Sequence, residues 1–273
     1  MEITPPIANK LLTKNTNNRN LKDRHVKWLA TQMRLGYWRW AGNLLLWSKN
    51  NVLMNSQHTL NAIIESGTTQ KFMVISGLED ETMSVIDTGS SRTAGDVLTL
   101  NGFQNASIIA ATVKRHMAFK AKQYSAVARG GKGGANPKRL AGDEHFLSNE
   151  RVLELVKEQP RFVEVAALAS EWYRQCKYVV PSFYGTMAML FMDKHVDEGK
   201  KFLDKFASGI GLYEGDPVYL LRKRMEKEYV ALKKLPGKAH LLWFIACWNK
   251  CRKGQKMTNM PRYTNTIAIP EIL

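Results

Sequence analysis

The stretch best equipped for chemistry is Asn55-Ser56-Gln57-His58-Thr59. An apolar run, Leu44 to Trp47, comes before it, then the turn Lys49-Asn50-Asn51 and a second apolar run, Val52-Leu53-Met54. After it, Leu60, Ile63 and Ile64 fall at helical spacing, and Gly67 supplies a stop. The order predicts strand, hairpin, returning strand, then helix, with five polar residues at the strand-to-helix junction. Backbone N–H groups at a helix start, with donors such as Gln57 and His58 beside them, make a ready site for a phosphate or other anion. The same residues also suit an ordinary N-cap, in which Asn55 or Ser56 satisfies the first turn. The residues alone leave both readings open.

Other reactive side chains are sparse. The three cysteines, Cys176, Cys247 and Cys251, form no even-numbered framework of the kind secreted disulfide scaffolds carry. Cys247 and Cys251 lie four apart on an expected helix and can be drawn with His240 as metal ligands. A zinc site needs a second ligand pair that the sequence lacks, so two half-buried thiols and no metal are expected. Residues 128 to 142 are rich in Gly, Lys and Arg, but the spacing of a phosphate-binding Walker loop is absent, and a mobile basic loop is expected there.

Charge points to a partner. Lys and Arg number 40 against 24 Asp and Glu, a formal net charge of +16 with a sequence pI near 9.8. The excess is clustered. Between Asp96 and Asp143 no acidic residue occurs, and that window holds Lys114, Arg115, Lys120, Lys122, Arg129, Lys132, Lys138 and Arg139. A second acid-free window runs from Arg24 to Ile64, and Lys250, Arg252, Lys253 and Lys256 crowd a third region. Patches focus the field and neutralise phosphates, so the expected partner is nucleic acid, chiefly DNA, bound with little regard to sequence. Tyr37-Trp38-Arg39-Trp40 could stack bases or could close the core.

These residues need elements to hold them. Helices are expected near 5–13, 23–35 and 56–65, strands at 44–47, 52–54 and 72–75, and either a strand or a short helix at 83–86. From Thr93 the periodicity is helical: 93–100, one long helix from Asn105 to about Tyr124, then 148–158, 162–173, 182–192, 197–207, 216–233 and 240–253, with an extended tail. The expected architecture is α+β: a small N-terminal α/β module with a mixed sheet over residues 1–101, then an all-helical part over 102–273. No apolar run reaches the roughly 18 residues of a membrane span. The opening residues carry no secretory pattern, so a cytoplasmic location is expected.

Several short motifs occur together in order. They are Asn18-Arg19, His25-Val26, Leu29-Ala30, Met33, Gly36-Tyr37-Trp38, the junction through Ile63, Ser66-Gly67, Gly77-Leu78, Ile86-Asp87-Thr88-Gly89, Arg92-Thr93 and Gly95-Asp96. This order resembles the ParB/sulfiredoxin-like superfamily, and most of all phage and bacterial ParB-like proteins with an Asp-Gly-Gln-His-Arg type motif at the junction. Weaker likeness continues through Phe202-Leu203, Gly209-Ile210-Gly211-Leu212, Asp216-Pro217 and Trp248-Asn249.

The resemblance implies a nucleotide-handling module whose junction contacts phosphates. It implies a nucleoside triphosphate with magnesium as the cofactor and a phage-type protein working in a bacterial host cell. Asn55, Ser56, Gln57, His58 and Thr59 would line the site, with Asp87, Arg92 and Arg19 as supplementary polar groups. The chain departs from the motif at Asn55, Ser56 and Thr59, where the family has Asp, Gly and Arg. The missing Arg removes a bidentate phosphate donor, and the missing Asp removes a metal ligand or base. The expectation is therefore a nucleic-acid-associated protein with a degenerate nucleotide module. The alternatives are an active nucleotide-dependent hydrolase, phosphotransferase or nuclease, and a phage protein that binds a host protein.

Overall fold

The computed structural model describes residues 1–16, 21–85, 93–128, 147–231 and 236–273. It is a mixed α and β structure that divides into two compact units, one reaching to Arg92 and the other beginning at Thr93, with Ala141–Ser148 grouped with the first.

The first unit opens with β1 (Glu2–Ile3) and α1 (Pro5–Leu12), whose two prolines stand in the first turn, where a missing N–H is no loss. Next comes α2 (Asp23–Arg34), which buries Val26, Leu29, Ala30 and Met33 along one face and carries Asp23 in its first turn and Arg34 in its last. Then follow β2 (Leu44–Ser48), α3 (Gln57–Ser66), β3 (Gln70–Lys71) and β4 (Met73–Leu78). β2 and β4 run parallel, with Leu44 opposite Met73 and Leu46 opposite Ile75. A parallel pair requires a crossover, and α3 supplies it, so the junction lies at the carboxyl side of β2 in a β-α-β unit. Ile3, Ala8, Leu29, Ala30, Leu45, Leu60, Ile63 and Phe72 form the core between these elements.

Two sequence expectations are corrected here and one open choice is settled. The expected mixed sheet is two separate pairs: β1 with β3 antiparallel and β2 with β4 parallel. Val52–Met54 is not a full returning strand, because only Leu53 pairs, with Trp47. The Asn55 side chain takes the next ladder positions, accepting from the Leu46 N–H at 2.9 Å and donating to the Leu44 carbonyl at 3.2 Å. Residues 80–85 form a 3₁₀ turn, which settles the open choice at 83–86 for the residues described. Of the aromatic run, Trp38 packs against the core and Trp40 is exposed.

Helices are the regular elements of the second unit among its described residues: α4 (Ala94–Leu100), α5 (Ala106–Lys120), α6 (Tyr124–Ala128), α7 (Asn149–Glu158), α8 (Arg161–Gln175), α9 (Pro181–Met192), α10 (Val196–Ser208), α11 (Pro217–Val230) and α12 (Gly237–Arg252). Thr93 and Asp96 close a reciprocal capping box that starts α4, which packs on α5 and α7. The long helix expected from Asn105 to Tyr124 ends at Lys120. Lys122 takes a left-handed backbone, and the chain restarts as α6.

Every residue of α9 from Ser182 to Met192 is buried, as befits a helix apolar on all sides. Rings from α12 pack around it: Phe183 lies edge-on to Phe244 at 5.1 Å, and Phe191 stacks on Trp248 at 4.6 Å. The tail after Gly254 has no regular structure and is pinned to α12. The Trp243 and Trp248 indoles donate to the carbonyls of Pro261 and Leu273, and Asn249 donates to that of Glu271. Among the described residues no helix is long and apolar enough to cross a membrane.

Candidate functional site

The junction is held by its own polar side chains. Asn55 bridges two main-chain groups of β2, and Ser56 Oγ donates to the Leu44 carbonyl at 2.8 Å. Ser56 is the N-cap of α3 with φ of +65°, a left-handed conformation that costs a side-chain-bearing residue about 1 kcal/mol. No side-chain oxygen caps the first turn of α3.

Gln57 and His58 point inward and are buried. Gln57 Oε1 accepts from Asn15 Nδ2 at 3.1 Å, and its carbonyl accepts from Asn61 Nδ2 at 2.7 Å. His58 Nε2 accepts from the Lys22 N–H at 3.0 Å, and its ring lies 5.2 Å from that of His25, which stacks on Trp28. Thr59 is half-buried. Asn15 and Lys22 are thus working parts of the junction that the sequence reading missed. Asn15 sits in a run of turn formers, and the Lys22 contribution is a main-chain N–H, which leaves no trace in residue type.

Chemically this is a clasp. Its described side chains include no carboxylate to hold magnesium and no guanidinium to grip a phosphate, and its amide and imidazole groups are spent on neighbouring chain. They do not fit a triphosphate–magnesium cradle. Arg19, Asp87 and Arg92, the expected supplementary groups, lie outside the described residues.

The basic residues separate into surface and interior. Lys120, Lys122, Lys253 and Lys256 are exposed. Lys250 is half-buried and donates to Gln255 Oε1 at 2.9 Å. Lys114 is half-buried, and desolvation lowers its pKa. Arg115 corrects the sequence expectation: it is 4 % exposed, donates to the Val127 carbonyl and has its pKa pushed down to about 10 by burial. A guanidinium so placed braces α5 against α6 and is not offered to a polyanion. Arg252 is likewise engaged, paired with Glu198, 2.6 Å from His195 Nε2 and over the Trp248 ring. Arg129, Lys132, Lys138 and Arg139, with the Gly- and Lys-rich stretch around them, lie outside the described residues.

His240 does not join the cysteines, because its ring packs against Phe183 and Trp243. Among the described residues no cluster of three His, Cys, Asp or Glu could hold a metal. Compared with protein-family models, with curated proteins and with solved structures, the chain matches none.

Proposed function

We propose that this chain is a nucleic-acid-binding protein of phage type. In this reading the helical second unit supplies the contact surface, and the first unit is a ParB/sulfiredoxin-like module kept as a scaffold. One observation carries it: almost all of the excess of Lys and Arg over Asp and Glu falls in the second unit. Among the described residues, the exposed lysines at the end of α5 and beyond α12 form no ion pair with an acidic side chain. A phosphate backbone is the polyanion such a surface suits, and contact through lysines reads charge rather than bases.

A mobility-shift series on duplex DNA at rising salt tests this. Affinity should fall with a log–log slope of about −0.9 per phosphate neutralised. Lys253→Ala with Lys256→Ala should weaken binding on every sequence alike and leave the fold unchanged. Failure to shift any DNA at low salt would remove the reading.

A second reading, a nucleotide-dependent enzyme, has one observation in its favour. The left-handed backbone at Ser56 is the conformation for which the family's glycine is suited, so the loop path would be that of the family motif. Titration calorimetry with nucleoside triphosphates and magnesium separates the two. The clasp geometry favours no binding, and heat with turnover would move the conclusion to the enzyme.

A further inference from the structure

Three sulfur atoms meet in the second unit. Cys247 Sγ, on α12, lies 3.7 Å from Met257 Sδ and 3.7 Å from Met260 Sδ, both in the segment that folds back after the helix. Cys251 stands one turn further along α12 and is half-buried. A thiol has one proton, so it can donate to only one of the two thioethers at a time, and hydrogen bonding does not account for both contacts. With metal–sulfur bonds of about 2.3 Å, the ligands of a trigonal site stand about 4 Å apart, close to the two separations from Cys247 Sγ.

We propose that Cys247, Met257 and Met260 form a binding site for a soft monovalent cation, Cu(I), with Cys251 at its mouth. Thiolate and thioether sulfurs select Cu(I) over harder divalent ions. Cys247 is fully buried and Met257 nearly so, whereas Cys251 and Met260 are half-exposed and open a path from solvent. On binding, the Cys247 Sγ–H bond breaks, its proton passes to solvent and an Sγ–Cu bond forms. The two thioethers each donate a lone pair, and copper remains in the +1 state. The product is neutral, which suits an apolar pocket better than the free ions do. Because the Cys247 proton is displaced on binding, uptake should release a proton and weaken as pH falls.

The test is a competition under argon between the full chain and the coloured Cu(I)–bicinchoninate complex. One Cu(I) per chain should be withdrawn. Met260→Leu preserves volume near the surface and should lower affinity by about tenfold or more, at least the cost of losing an outer-shell partner. Cys247→Ser should abolish uptake, and Cys176→Ser, which alters a buried thiol of α8's end, should leave it intact. Far-UV circular dichroism verifies folding of each variant. X-ray absorption should find three sulfur neighbours. No withdrawal by the native chain, equal withdrawal by native and Met260→Leu proteins, or equal loss in the Cys176→Ser protein would each overturn the site.

Discussion

The main-chain N–H of Lys22 points at Nε2 of His58 across 3.0 Å, so the ring accepts there and carries its proton on Nδ1. The imidazole that the family motif would aim at a phosphate is instead the anchor for the start of α2. His58→Gln keeps an acceptor at similar reach and should cost about 1–2 kcal/mol. His58→Ala removes both the acceptor and buried volume and should cost about 2–4 kcal/mol. Urea unfolding of the two variants measures the difference, and a His58→Ala protein as stable as His58→Gln would refute the anchoring role.

Backbone shape governs Ser56. Glycine at this position relieves the left-handed strain but gives up the bond from Oγ to Leu44, so Ser56→Gly should lie within about 1 kcal/mol of the native protein. Ser56→Val places a β-branched side chain in that conformation and should lose about 2 kcal/mol or more. Thermal melting of the pair reads this directly.

His116 makes stability depend on pH. Its ring is 1 % exposed, neither nitrogen has a hydrogen-bond partner among the described residues, and burial, then Lys120, push its pKa down to about 4. The unfolded chain, with a histidine near 6.5, therefore binds more protons than the folded one between those values, and stability falls as pH drops through that window. Going from neutral to pH 5 should cost about 2 kcal/mol from this group alone. His116→Phe should flatten the profile, measured as the urea midpoint at pH 7.5 and pH 5.

Gly185 lets α9 lie against α5. A Cβ there would sit 2.5 Å from Thr112 Oγ1 and 3.1 Å from its Cγ2, so Gly185→Ala should cost about 2–3 kcal/mol. Thr112 Oγ1 has no hydrogen-bond partner among the described residues, and removing it with Thr112→Ala should recover a large part of that loss. At Gly199 the same experiment has no rescue, because an added Cβ meets the main chain of Phe191 and Met192.

Much of the helical architecture was legible in the residues. The starts and stops of α1, α2, α4 and α7 to α10 follow from periodicity, prolines at first turns, glycines at ends and the Thr93–Asp96 box, all interactions that span a few residues, whereas α11 stops at Val230, short of the expected 233, and α12 starts at Gly237, ahead of the expected His240. The order of β2, the polar junction and α3 was legible on the same grounds.

What lay beyond the sequence depends on which distant groups meet. Asn55 displaces the expected return strand because its amide reaches Leu44 and Leu46 across the turn. Gln57 and His58 look inward because Asn15 and Lys22 meet them from 42 and 36 residues away. Arg115 and Lys120 share one helix and one charge, yet the first is buried under α6 and the second is in solvent, since helix rotation is set by packing partners and not by residue type. The sequence by itself determined where elements form and how much positive charge they carry. The tertiary structure decided which polar groups remained for a ligand, because burial and hydrogen-bond satisfaction are properties of pairs brought together only when the chain folds.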